Sequence, residues 1–79
     1  MSMSVEKLEE ILDMLRDGKW HSISEISSIF HIDEWKLHEI LRFFMSFGLV
    51  EYDEAGKRVK ITNIGLSFLK LPVEREEEE

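Results

Sequence analysis

Apolar residues recur three and four apart at Val5, Leu8, Ile11, Leu12 and Leu15, with Glu6, Glu9, Glu10 and Asp13 between them. That spacing predicts a helix with one buried stripe. Ser4 is placed to cap its first turn and Gly18 to end it. The adjoining Lys19-Trp20-His21 is too short for more than a strand-like link. Ser22 and Glu25 form a Ser-x-x-Glu capping box ahead of Ile26, Ile29 and Phe30, which predicts a second, short helix. In Phe30-His31-Ile32-Asp33 a tight turn is expected, since histidine tolerates positive φ better than most residues and Asp33 can cap the next helix.

The third helix is expected over 33–47. At about 100° per residue, Leu37, Ile40, Leu41, Phe44 and Phe47 fall on its core side, while Trp35, His38, Glu39, Arg42 and Ser46 face outward with Glu34 and Lys36 on the flanks. Gly48 supplies the left-handed residue that stops it. Val50 and Tyr52 then alternate with Glu51 and Asp53, and Val59 and Ile61 with Arg58, Lys60 and Thr62. These read as two half-buried strands joined by a tip at 54–57. Thr62 or Asn63 can cap a last helix carrying Ile64, Leu66, Phe68, Leu69 and Leu71, which Pro72 ends. The fold class is therefore mainly α with a small β-hairpin, in the order helix, link, helix, turn, helix, hairpin, helix.

With 79 residues there is material for one hydrophobic core, since a chain this short buries only about 60% of its unfolded surface. We place that domain at 4–72 and expect 73–79 to be a disordered acidic tail. The chain carries 10 Lys and Arg against 17 Asp and Glu, a net −7. Residues 74–79 hold five of the acids and one base, leaving −3 for the rest. Cysteine is absent, which excludes disulfides, thiolate metal sites and cysteine nucleophiles. His21, His31 and His38 have no i, i+4 pairing, so no metal centre is expected. No glycine loop suits a phosphate, and no Ser, His and acid spacing nominates a nucleophile with its base; an enzyme, a catalytic residue and a cofactor are all unexpected. Without an apolar run of membrane length, or a basic and apolar leader, we expect a cytoplasmic protein with no membrane contact.

Three stretches together carry a family likeness: Ile23-Ser24-Glu25-Ile26 with Phe30-His31-Ile32-Asp33, Leu41 through Gly48-Leu49-Val50-Glu51, and Lys57-Arg58-Val59-Lys60-Ile61-Thr62-Asn63-Ile64-Gly65. Over roughly residues 5–71 the chain resembles the winged helix-turn-helix superfamily of bacterial and archaeal transcription regulators. The resemblance implies a DNA-binding module in which the 33–47 helix enters the major groove and the 49–62 hairpin is the wing. Because regulators of this kind often pair, it also leaves open a homodimer joined through the first and last helices.

By that resemblance Lys36, His38 and Arg42 read bases or touch phosphates, and Lys57, Arg58 and Lys60 position the backbone. Plainer roles stand beside these: an i, i+3 ion pair of Arg42 with Glu39, and cross-strand balance of the wing cations with Glu51, Asp53 and Glu54. The acidic, aromatic opening Asp33-Glu34-Trp35 departs from the small hydroxyl residues usual where a helix start approaches DNA. An alternative partner is accordingly a protein of the transcription machinery, held by Trp35 and Phe43 as aromatic anchors. Trp35 can instead tuck against the first helix or Phe43, and Trp20 is expected in the core.

Overall fold

The computed structural model describes residues 5–70. Its elements are α1 (Val5–Met14), which runs into a 3₁₀ turn at Leu15–Asp17, then β1 (His21–Ser22), α2 (Ile23–Phe30), α3 (Glu34–Ser46), β2 (Val50–Tyr52), β3 (Arg58–Ile61) and α4 (Asn63–Lys70). It is a mainly helical chain with a small antiparallel sheet. The expected Ser4 cap, the last-helix positions Leu71 and Pro72, and the acidic tail lie outside the described residues.

Local chemistry sets each helix boundary. Gly18 ends the first helical segment at φ 75°, its N–H donating to the Leu15 carbonyl. The Ser22 hydroxyl accepts the Glu25 N–H at 2.9 Å, capping α2. That helix stops at His31, the one non-glycine residue at positive φ (56°) among the described residues. The turn is stapled to α2 through Ser27, whose carbonyl accepts the His31 and Ile32 N–H groups and whose hydroxyl donates to the Ile32 carbonyl. Asp33 occupies the cap position of α3, but its side chain makes no capping bond; its backbone carbonyl receives the Leu37 N–H. At the far end Gly48, at φ 75°, lets the chain reverse into β2, and the Leu49 N–H returns to the Phe44 carbonyl at 3.0 Å.

The sheet has three strands in the order β1–β3–β2, not the two expected. His21 and Ser22 pair with Val59 and Arg58, and Ile23 donates to the Lys57 carbonyl. The free edge of β3 captures the short link, satisfying backbone groups that would otherwise lie open. On the other side of β3, Val50 faces Ile61 and Tyr52 faces Val59.

The inner face of this sheet and the stripes of the first three helices form one core, in which Ile11, Leu15, Ile26, Leu37, Leu41 and Val59 are wholly buried. Several assignments need correction. Phe47 is 60% exposed rather than core-facing, because it sits at the α3 C-cap with φ −100° and has left the helical register. Trp20 is not buried but 39% exposed, and Ile29, Ile64 and Phe68 are exposed as well. In α4 only Gly65 is buried, with Leu66 and Leu69 packed part-way against the core. The reason is contact distance: a Cβ on Gly65 would overlap the Leu49 carbonyl and lie 2.5 Å from Ile61 Cγ1. The helix backbone itself seats against Leu49 and the end of β3, and Ile64 and Phe68 are left exposed.

Candidate nucleic-acid interface

The outer side of α3 is the first part of the candidate site. The turn before it is fixed by His31 and Ser27, and Leu37, Leu41 and Phe44 anchor its inner side. On the outer side Arg42 is exposed, and no ion pair joins it to Glu39 among the described residues. His38 is half-buried, its ring stacked on Tyr52 at 6.1 Å between centroids and 17° between planes. Burial raises the Tyr52 hydroxyl above its ordinary pKa of 10.0, and the charge of Arg42 opposes that shift. The hydroxyl is buried without a hydrogen-bond partner among the described residues.

Tyr52 and Asp53 were not singled out from the sequence as site residues. The available signal was the alternation itself, which places Tyr52 beside Val50 on the inner face, where α3 packs. Asp53 ends the strand and organises the hairpin. Its Oδ1 accepts the backbone N–H groups of Lys57 and Arg58 at 2.9 and 3.1 Å, and its Oδ2 accepts Arg58 Nε at 3.2 Å. The Arg58 N–H does most to hold the Asp53 carboxyl below 3.8; desolvation opposes it, and the Lys57 N–H and the guanidinium add to the lowering.

Strand alternation separates the hairpin cations from the α3 set. Val59 and Ile61 point inward, so Arg58 and Lys60 lie on the opposite face of the sheet from His38 and Tyr52. Extending the β1–β3 register by one residue brings Trp20 opposite Lys60, and the ammonium lies 4.8 Å from the centre of its ring. Arg58 is committed to Asp53. Lys57, at the tip, is exposed and has no ion pair among the described residues.

The two aromatic residues named as alternative anchors do not share a surface. Trp35 is 63% exposed at the start of α3, with Lys36 Nζ 5.6 Å from its ring centre, and it does not tuck inward. Phe43, two turns on, meets Phe47 edge to face at 5.1 Å and turns toward α1 and α4. Of the remaining histidines, His21 contacts both Asp17 carboxylate oxygens, at 2.9 and 3.1 Å. No three His, Cys, Asp or Glu side chains group to hold a metal among the described residues, and no helix there is long and apolar enough to cross a membrane.

No protein-family model matches the chain, and no curated protein or solved structure matches it either.

Proposed function

We propose that the protein is a small winged helix-turn-helix module that binds double-stranded DNA as a cytoplasmic transcription regulator. α3 would lie in the major groove, with the β2–β3 hairpin as its wing. The observation that carries this reading is the exposure of Arg42 on the outer side of α3, with half-buried Lys36 near the helix start, on a helix that follows α2 through a three-residue turn. The order of elements and the hairpin beside α3 support it further. Arg42 would pair with a guanine edge, and His38 would be held in place by Tyr52. Of the hairpin cations, Lys57 is ready for a phosphate, whereas Arg58 and Lys60 would have to leave Asp53 and Trp20.

The test is anisotropy of a labelled duplex titrated with protein across a salt series. Lys57→Ala should reduce the salt slope by about 0.9, and Arg42→Ala should reduce discrimination between duplexes by about 1–3 kcal/mol. Lack of binding by the parent at low salt, or a slope indifferent to Lys57, would overturn the proposal. One observation favours a second reading, in which the start of α3 contacts a protein of the transcription machinery: Trp35 is largely exposed and flanked by Glu34. Under it Trp35→Ala should cost about 2 kcal/mol or more in partner affinity, with little effect on DNA.

A further inference from the structure

A cleft of about 300 Å³ opens where the start of α1, the end of α3 and α4 converge. Leu12 lies at its base, while Val5, Phe43, Phe47 and Phe68 form walls that are 70, 53, 60 and 50% exposed. A folded chain seldom leaves three phenylalanines and a valine together on one surface without a use for them. Each of these wall residues is half or more exposed, which leaves the cleft open to solvent. Their run between helices suits an apolar helix face laid lengthwise, with one or two large side chains entering the cleft.

Charge selects the occupant. Glu9 is the polar residue of the lining. At about 100° per residue, Glu6 and Asp13 follow it on the same solvent side of α1. Neither Glu6 nor Glu9 has an ion pair among the described residues, although Asp13 is bonded to Arg16. Lys70 is the one cation in α4, and the sequence beyond it carries five glutamates against Arg75 alone. A second copy of this chain would bring an equally acidic α1 against the first. We propose that the cleft is a docking site for a basic amphipathic helix of a partner protein, its apolar side on the phenylalanines and its cations over Glu6 and Glu9. The proposal is independent of DNA binding, since Phe43 faces α1 whereas Arg42 lies on the Tyr52 side of α3.

The experiment titrates the full chain with two capped helical peptides of roughly four turns, one with leucine on one side and lysine on the other, its twin with glutamate in place of lysine. Affinity is read by anisotropy and the contact surface by amide chemical shifts. The lysine peptide should bind at least about tenfold tighter than its twin, shifting Val5, Phe43 and Phe68. Phe47→Ser and, separately, Phe68→Ser should each weaken it about tenfold while leaving the net charge unchanged. Both side chains lie outside the core, so the folded circular dichroism should persist, and two variants guard against one failing to fold. Glu6→Lys with Glu9→Lys should reverse the preference between peptides. Equal binding of both peptides, or lysine-peptide binding that ignores Phe47 and Phe68, would overturn the proposal. So would a dimer in sedimentation that Phe47→Ser dissociates, because the cleft would then be a self-interface.

Discussion

Lys60 and Arg58 illustrate how a side chain's neighbours decide what its charge can do. Both alternate outward on β3, yet one rests on the Trp20 ring and the other on the Asp53 carboxylate. Interactions of these two kinds at exposed sites are weak, so they bias the cations without locking them. The Asp53 side chain has the larger structural part, because it gathers two backbone donors as well as the guanidinium. With its folded pKa below 3.8 and no such donors in the unfolded chain, its stabilisation is complete above 3.8 and is lost as pH falls through the lower, folded value. Asp17 acts in the same direction, held down first by its bond to the His21 ring and then by the Lys19 N–H. Asp53→Asn should therefore lower stability at neutral pH and flatten its decline between about pH 5 and pH 2. Thermal unfolding of parent and variant across that range checks this; parallel acid profiles would show that Asp53 does not titrate as described.

At the scale of elements, the tightest fit is between α4 and the sheet. The Thr62 hydroxyl donates to the Gly48 carbonyl and accepts the Gly65 N–H at 3.0 Å, so one side chain ties the end of α3 to the start of α4. Gly65 then lies against Leu49 and Ile61, with no room for a methyl. Gly65→Ala should cost about 1–3 kcal/mol through this overlap, despite the better helix propensity of alanine. Urea unfolding measures it, and an unchanged midpoint would mean that α4 can lift from the sheet freely. The helices were legible in the sequence because a 3.6-residue stripe, a Ser-x-x-Glu box and glycines at the ends are local signals. His31 and the Gly48 reversal were legible for the same reason. The third strand was not, because two residues have no period and their pairing is with a segment far along the chain. Nor was the exposure of Phe47 and Phe68, which depends on where α3 unwinds and how closely Gly65 lets α4 approach. Among the candidate site residues, outward Arg42 followed from the helical period, but the stacking of His38 on Tyr52 and the capture of Lys60 by Trp20 depend on tertiary packing.

For the whole molecule, the sign of the net charge is in tension with a DNA partner, and its distribution shows where that tension arises. Of the −7 carried by the chain, residues 74–79 account for −4. The remaining −3 equals the net charge of α1, where Glu6, Glu9, Glu10 and Asp13 stand against Lys7, whereas α3 and the hairpin are balanced, Glu34, Glu39, Glu51, Asp53 and Glu54 standing against Lys36, Arg42, Lys57, Arg58 and Lys60. A polyanion approaching that side is repelled mainly over long range, where screening is effective: the Debye length is about 30 Å at 0.01 M salt and about 8 Å at 0.15 M. Removing 74–79 should thus accelerate association with duplex DNA at low ionic strength, with the gain shrinking as salt rises, while dissociation is little changed. Stopped-flow anisotropy at several salt concentrations separates the two rates. A gain that persisted at high salt, or one found in dissociation, would point instead to direct competition between the acidic segment and DNA for the same cations. A slower association would remove long-range repulsion as the explanation altogether.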